Sequence, residues 1–251
     1  TPLVVGAGGH FCPVARALGT RLGHSETVVS AQEVEFPLSA IERGEYRVER
    51  DVAQLYFCAD LKGYGWCFPK GDYLNIGLGR EDNHRLAGHV EHFCAWLQQR
   101  DCIPRNLPEK FKGHAYLLYP ASTRRLADDG VLIVGDAAGL AYPQSGEGIR
   151  PAVESGLLAA EAILEAAGDY RRCKLEPYAA RLTARFGKRD QHTAASALLP
   201  QQFRQKLAAT LMASRWFARH VVIDRWFLHS GQRALLAGSH FDTVPTDRHR
   251  A

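Results

Sequence analysis

The stretch "VLIVGDAAGLAYPQSGEGI", residues 131–149, decides how the rest of the chain reads. Val131, Leu132, Ile133 and Val134 form a short apolar run rich in β-branched residues, and Gly135 ends it, the signature of a buried strand running into a turn. Such a strand delivers Gly135 and Asp136 at its carboxyl end, the edge where open α/β sheets hold ligands. Asp136 offers an acceptor for sugar or polyol hydroxyls. Gly139, Gly146 and Gly148 let backbone N–H groups come close to a planar ring or an anion. Residues 146–168 predict a long helix whose positive end would favour negative charge on a ligand. Pro151 suits its first turn, where a missing N–H costs little. Ile149, Ala152, Val153, Gly156, Ala160 and Ile163 are the expected inward stripe. "GDAAG" alone fits an ordinary strand–turn–helix with a capping Asp equally well; the full spacing, with Pro143 and "GEGI", argues against that.

Upstream, residues 28–80 are strand-rich. "ETVVSAQEVEF", "YRVERDVAQLYF" and "YLNIGLG" are separated by turn residues such as Lys62-Gly63 and Lys70-Gly71-Asp72, which predicts an antiparallel sheet. In "GYGWCFPKGDYLNIGLG" (63–79), Tyr64, Trp66 and Phe68 alternate, so they share one face of a strand. Three aromatics in a sheet core would look the same, but a wall of rings also suits a long apolar ligand. Leu86, Val90, Phe93, Cys94 and Leu97 predict an amphipathic helix over 82–100, with Asp82 or Asn83 as its cap.

The chain has 251 residues, of which 46% are hydrophobic and 23% charged, ordinary values for globular protein. No apolar run approaches the roughly 18 residues that would span a membrane. Six cysteines form no CxxC pair, which argues against zinc or a redox dithiol and for free thiols in a reducing compartment. Charge is uneven. Residues 1–170 carry 16 Lys and Arg against 22 Asp and Glu, whereas 171–251 carry 15 against 5. The mostly helical, basic tail could attract an anionic partner or serve simply as a solvated face.

Here a family enters. "GDAAGLAYPQSGEGI" resembles the second FAD motif of the flavoprotein oxidoreductases that include p-hydroxybenzoate hydroxylase and the geranylgeranyl reductases. The resemblance implies FAD as cofactor, an Asp on its ribityl chain, and the Pro and "GEGI" segment along the flavin edge. It carries cofactor contact onto Gly135, Asp136, Ala137, Gly139, Pro143, Gly146, Gly148 and Ile149. The aromatic stretch is similar to the geranylgeranyl reductase pattern Y-x-W-x-F-P, seven residues, G-x-G. That implies a lipid-substrate cavity lined by Tyr64, Trp66, Phe68, Pro69, Gly77 and Gly79; flavin-dependent halogenases have a related element. The opening "VVGAGGHFCPVARALG" (4–19) matches a dinucleotide fingerprint only at Gly6 and Gly8, with Phe11 at the third glycine position. It is closer to the family's internal G-A-D-G motif, with Gly8 in place of Asp and Cys12 in place of Ser. On that alignment the family's first glycine fingerprint would lie upstream of Thr1.

The expected fold is thus an α/β, or mixed α+β, architecture: a partial Rossmann-like FAD-binding domain with an inserted antiparallel substrate sheet and a helical tail. The expected division is 1–24 and 105–170 for the FAD-binding domain, 25–104 for the substrate sheet and 171–251 for the basic tail. The resemblance implies reduction of carbon–carbon double bonds in an apolar, isoprenoid-like substrate, with NAD(P)H or a ferredoxin as electron donor. A flavin-dependent monooxygenase or halogenase is the alternative enzyme, and a non-catalytic fragment retaining the fold the alternative of another class. No metal and no nucleic acid are expected. No catalytic residue is assigned; Cys67 is the nearest candidate proton donor. The expected location is cytoplasmic, and "SRWFARHVVIDRWFLHSG" (214–231) suits either packing or peripheral contact with an anionic membrane.

Overall fold

The computed structural model describes residues 1–20, 28–40, 52–82, 85–107, 110–189 and 200–235. They fall into two compact units. The parts of the predicted strands at 26–27 and 46–51, and the candidate cap Asn83, lie outside the described residues.

One unit comprises Thr1–Arg21, Thr123–Asp190 and Arg219–Ala251. Its sheet has three strands in the order β1 (Val4–Gly6), β8 (Val131–Ile133), β7 (Ala127–Asp128). β1 and β8 run parallel, with Gly6 opposite Ile133, and β7 pairs antiparallel to β8. Gly6 leaves room there for Ile133: a Cβ would stand 2.6 Å from its Cδ1, and that side chain would have to shift. The parallel strands place the amino-terminal glycine loop and the Gly135 turn at the same end of the sheet. Helix α1 (Pro13–Ala17) follows the first loop and α3 (Ile149–Ala166) follows the second. Helices α4 (Arg172–Leu175) and α5 (Pro177–Phe186) contribute the fully buried Leu175, Tyr178 and Leu182 to a core that also holds Leu132 and Ile133. Tyr178 donates from Oη to the Ile133 carbonyl at 2.8 Å, satisfying a phenol that burial would otherwise penalise.

The inward face of α3 differs from the expected stripe. Pro151, Glu154, Ser155, Leu158, Ala159, Ala162 and Ala166 are buried, whereas Ile149 is 80% and Val153 58% exposed. Hydropathy periodicity misassigns the face because Glu154 and Ser155 point inward, where both have partners.

The second unit comprises Leu22–Ser122 and Gln191–Ala218. It holds a five-stranded antiparallel sheet in the order β3 (Gln54–Phe57), β4 (Gly63–Lys70), β5 (Tyr73–Arg80), β2 (Val28–Pro37), β6 (Lys112–Leu117). The expected antiparallel sheet is therefore present. Val34, Phe36, Cys67, Leu74, Ile76 and Leu78 on one face pack with Leu86, Val90, Cys94 and Leu97 of α2 (Leu86–Gln98). The N-terminus of α2 is not capped by Asp82. Arg85, in left-handed conformation at φ 58°, precedes the helix. Asp82 instead accepts from Arg80 Nε at 2.7 Å and Lys62 Nζ at 3.0 Å, and these bonds, Arg80's foremost, hold its carboxyl down at about 2. The tail is helical as expected in α6 (Gln201–Ala213), α7 (Arg215–Phe217) and a π-helical stretch, Ala218–Phe227.

Candidate functional site

In the first unit, the turn after β8 is built on glycines. Gly135 has φ 58°, and its N–H donates to Ser155 Oγ at 3.0 Å, so α3 packs directly on the turn. Residues Gly135–Ala138 make one tight helical turn, ended by Gly139 at φ 66°. The loop back to α3 is closed by Tyr142, whose N–H donates to the Glu147 carbonyl at 3.0 Å and whose own carbonyl accepts from Gly146 N–H at 2.8 Å. Gly148 lies against Asp136: a Cβ there would stand 3.0 Å from Asp136 Oδ1. Asp136 and the start of α3 are thereby brought together, with Pro143 and Ile149 exposed beside them.

The first turn of α3 has an uneven supply of donors. Arg150 N–H is taken by Glu147 Oε1 at 2.8 Å, and Pro151 has no N–H. The amides of Gly148 and Ile149 find no acceptor among the described residues. Glu147 Oε2 is buried without a hydrogen-bond partner. Among the described residues, two donors and one buried acceptor without partners thus lie in the same loop as the Asp136 carboxylate. That donor and acceptor set fits a flavin: amides for the electron-rich pyrimidine edge and a carboxylate for polyol hydroxyls.

Two residues that carry no sequence signal hold this turn in place. Arg124 is 4% exposed. It donates to the carbonyls of His10 at 3.0 Å, Ala137 at 3.1 Å and Asp136 at 3.3 Å, and its second terminal nitrogen meets His10 Nδ1 at 3.0 Å. One guanidinium therefore ties the amino-terminal glycine loop to the Gly135 turn. Arg189 extends the clamp, donating to the carbonyls of Arg124 at 3.0 Å and Ala138 at 2.9 Å. His10 and Cys12 are both buried in this loop.

The second unit carries the aromatic element. Trp66 stands directly across from Gly77, and Tyr64 across from Gly79. A Cβ on Gly77 would approach the Trp66 ring to 2.2 Å, so the indole lies flat on the glycine. This gives a physical reason for the spacing between Trp66 and Gly77: the glycine is the indole's seat on the neighbouring strand, whereas a Cβ on Gly79 would make only ordinary contacts, the nearest 3.5 Å away at Ala31. Trp66 Nε1 donates to Asn75 Oδ1 at 2.6 Å, and Asn75 Nδ2 donates to Glu35 at 3.1 Å, fixing the indole's orientation. Phe57, Tyr64 and Trp66 continue as a row, with ring centroids 5.7 and 6.0 Å apart. Phe68 and Pro69 are half-buried at its end. Cys67 points away from this row. It is fully buried in the core on the other face, where burial pushes its thiol up to about 12, so it is no proton donor to a ligand on the aromatic face.

No family model matches the chain. It is 34% identical over 135 residues to digeranylgeranylglycerophospholipid reductase of Methanocaldococcus jannaschii, a match covering 50% of this chain and 34% of that protein. It is 32% identical over 188 residues to the chloroplastic geranylgeranyl diphosphate reductase of Oryza sativa subsp. japonica, covering 74% of this chain and 38% of that one. The chain thus matches well under half the length of these curated relatives. Among solved structures, a geranylgeranyl bacteriochlorophyll reductase-like protein of Thermoplasma acidophilum superposes with a TM-score of 0.66 at 20% identity, covering 92% of this chain and 62% of that one. Its likeness establishes the fold, and the sequence identity to the named reductases establishes the lineage. The chain belongs to the geranylgeranyl reductase-like family of FAD-dependent oxidoreductases.

Proposed function

We propose that this chain forms part of an FAD-dependent reductase that saturates carbon–carbon double bonds of an apolar, isoprenoid-like substrate. The observation that carries the reading is the Gly135–Ile149 loop, where the Asp136 carboxylate lies against Gly148, and the amides of Gly148 and Ile149 find no acceptor among the described residues. Bound FAD, once reduced by NAD(P)H or a ferredoxin, would supply the hydride. The chain's own residues bind and orient. Asp136 would accept from the ribityl hydroxyls, and the Gly148 and Ile149 amides would stabilise negative charge on the ring edge. Ala137 and Gly139 keep backbone rather than bulky side chains along the turn, and Pro143 and Ile149 offer an apolar edge. The row of Tyr64, Trp66 and Phe68, with Trp66 seated on Gly77, Gly79 across from Tyr64, and Pro69 following, suits a polyprenyl chain, which offers many CH groups and no polar handle. Incubation of the protein with FAD, dithionite and a geranylgeranyl lipid under anaerobic conditions should give product heavier by two hydrogens per reduced bond in a mass spectrum. Unchanged lipid, with flavin bound and reduced, would count against the substrate class.

Peripheral contact with an anionic membrane is part of the same reading. On α6, Phe203, Leu207 and Leu211 recur every four residues and are 55%, 45% and 38% exposed; Trp216 beyond them is 66% exposed. Residues 200–218 contain Arg204, Lys206 and Arg215 and no acidic residue. An exposed apolar stripe among cations suits a negatively charged interface. Sedimentation should recover the protein with phosphatidylglycerol vesicles and not with phosphatidylcholine vesicles, and Leu207→Glu should abolish the recovery. Equal recovery with both lipids would contradict this contact.

A further inference from the structure

Glu154 lies in the second turn of α3 with its side chain 3% exposed, a costly position for a lone charge. Two guanidinium groups meet it. Arg150 donates from Nε to Oε1 at 2.9 Å; Arg185, from α5, donates from Nε to Oε2 at 2.7 Å and from a terminal nitrogen to Oε1. Burial pushes the Glu154 carboxyl up, but the hydrogen bonds from Arg185 and Arg150 outweigh it and hold the group below its ordinary value.

The remaining donors of both arginines converge on one segment, residues 228–233. Arg150 donates to the carbonyls of Leu228 at 3.2 Å, His229 at 3.4 Å and Gln232 at 2.6 Å, and Arg185 to that of Arg233 at 2.7 Å. Gln232 Nε2 returns a bond to the Arg185 carbonyl at 3.0 Å. Held this way, His229 adopts φ 46°, a conformation that a non-glycine residue keeps only when its surroundings impose it. Its ring stacks on Tyr142 with centroids 3.6 Å apart and planes 27° apart. Tyr142 is the residue that closes the loop bearing Pro143 and Gly146. A buried ion cluster adds little net stability over packed apolar residues, but it fixes the direction of every N–H it engages.

We propose that Glu154 is a positioning residue for the flavin loop: it aims Arg150 and Arg185 at the 228–233 strap, and the strap presses His229 against Tyr142 and so fixes the loop. The role rests on the reading of that loop as a flavin site. Two variants of the full chain test it, Glu154→Gln and His229→Gly, by hydrogen exchange without flavin and by FAD titration. Glu154→Gln should speed exchange about tenfold or more in both 142–148 and 228–233 and weaken FAD binding about tenfold, with exchange in Val131–Ile133 unchanged. His229→Gly removes the ring, suits the backbone and keeps the clamp, so only 142–148 should quicken. If 142–148 is unchanged in either variant, or if Val131–Ile133 quickens along with it, the positioning role is overturned. If the exchange pattern appears but the unsubstituted chain binds no FAD, the mechanical coupling stands and the flavin reading falls.

Discussion

Single glycines carry much of the account. At Gly148, a methyl group would crowd the carboxylate expected to receive the ribityl hydroxyls; at Gly77, it would collide with the indole ring. Gly77→Ala would put its Cβ 2.2 Å from the Trp66 ring and 2.9 Å from the Gln32 carbonyl oxygen, both tighter than any relaxed contact. We expect a loss of about 1–3 kcal/mol in denaturant unfolding, as for other overpacked sites, together with a changed tryptophan emission as the Asn75 bond to the indole is lost. Unfolding and emission like those of the unsubstituted protein would show that the ring is not seated there. These glycines were legible in the sequence because their spacing from Asp136 and the aromatics is written in the chain. Arg124 was not legible. Three of its partners are backbone carbonyls, one of them 114 residues away, and a carbonyl has no residue type to recognise. Cys67 was misjudged for a related reason: alternation puts it opposite the rings, and proximity along the chain said nothing of the face.

At the scale of elements, the sheet strands and most helices follow from local pattern, while the face that α3 buries does not. Its inward Glu154 and Ser155 are polar, and only their partners on α5 and the Gly135 turn make that face the stable one. The same cluster sets a pH dependence. The groups around Glu154 are Arg150 and Arg185, with Tyr142 and His229 beyond them; burial pushes the Tyr142 phenol up to about 12, so it stays neutral throughout. His229 is held below its ordinary value of 6.5, chiefly by burial, so stability is lost as pH falls from 6.5 through its folded value. Glu154 is held below 4.5, so its contribution is present above that pH and is lost as pH falls through its folded value. Exchange in 228–233, corrected for intrinsic rate, should therefore quicken in two steps on acidification, and Glu154→Gln should remove the lower step. A single step unaffected by that substitution would show that the clamp does not depend on the carboxylate.

For the molecule as a whole, the chain forms two compact units, and the expected separate tail is shared between them, with 171–190 and 219–251 in one and 191–218 in the other. One gathers the glycine loops and the buried arginines around a parallel strand pair, and the other presents aromatic rings on an antiparallel sheet. Fold class and both motif regions could be read before any coordinates, because each rests on residues close in sequence. What could not be read is the set of long-range arginine contacts that hold those motifs in shape. The central claim is that the Gly135–Ile149 loop grips a flavin through Asp136, and fluorescence titration with FAD tests it most directly. Saturable quenching by the unsubstituted protein, weakened about tenfold or more by Asp136→Ala through loss of a charged acceptor, is the predicted result. No saturable binding, or equal affinity in the two proteins, would contradict it.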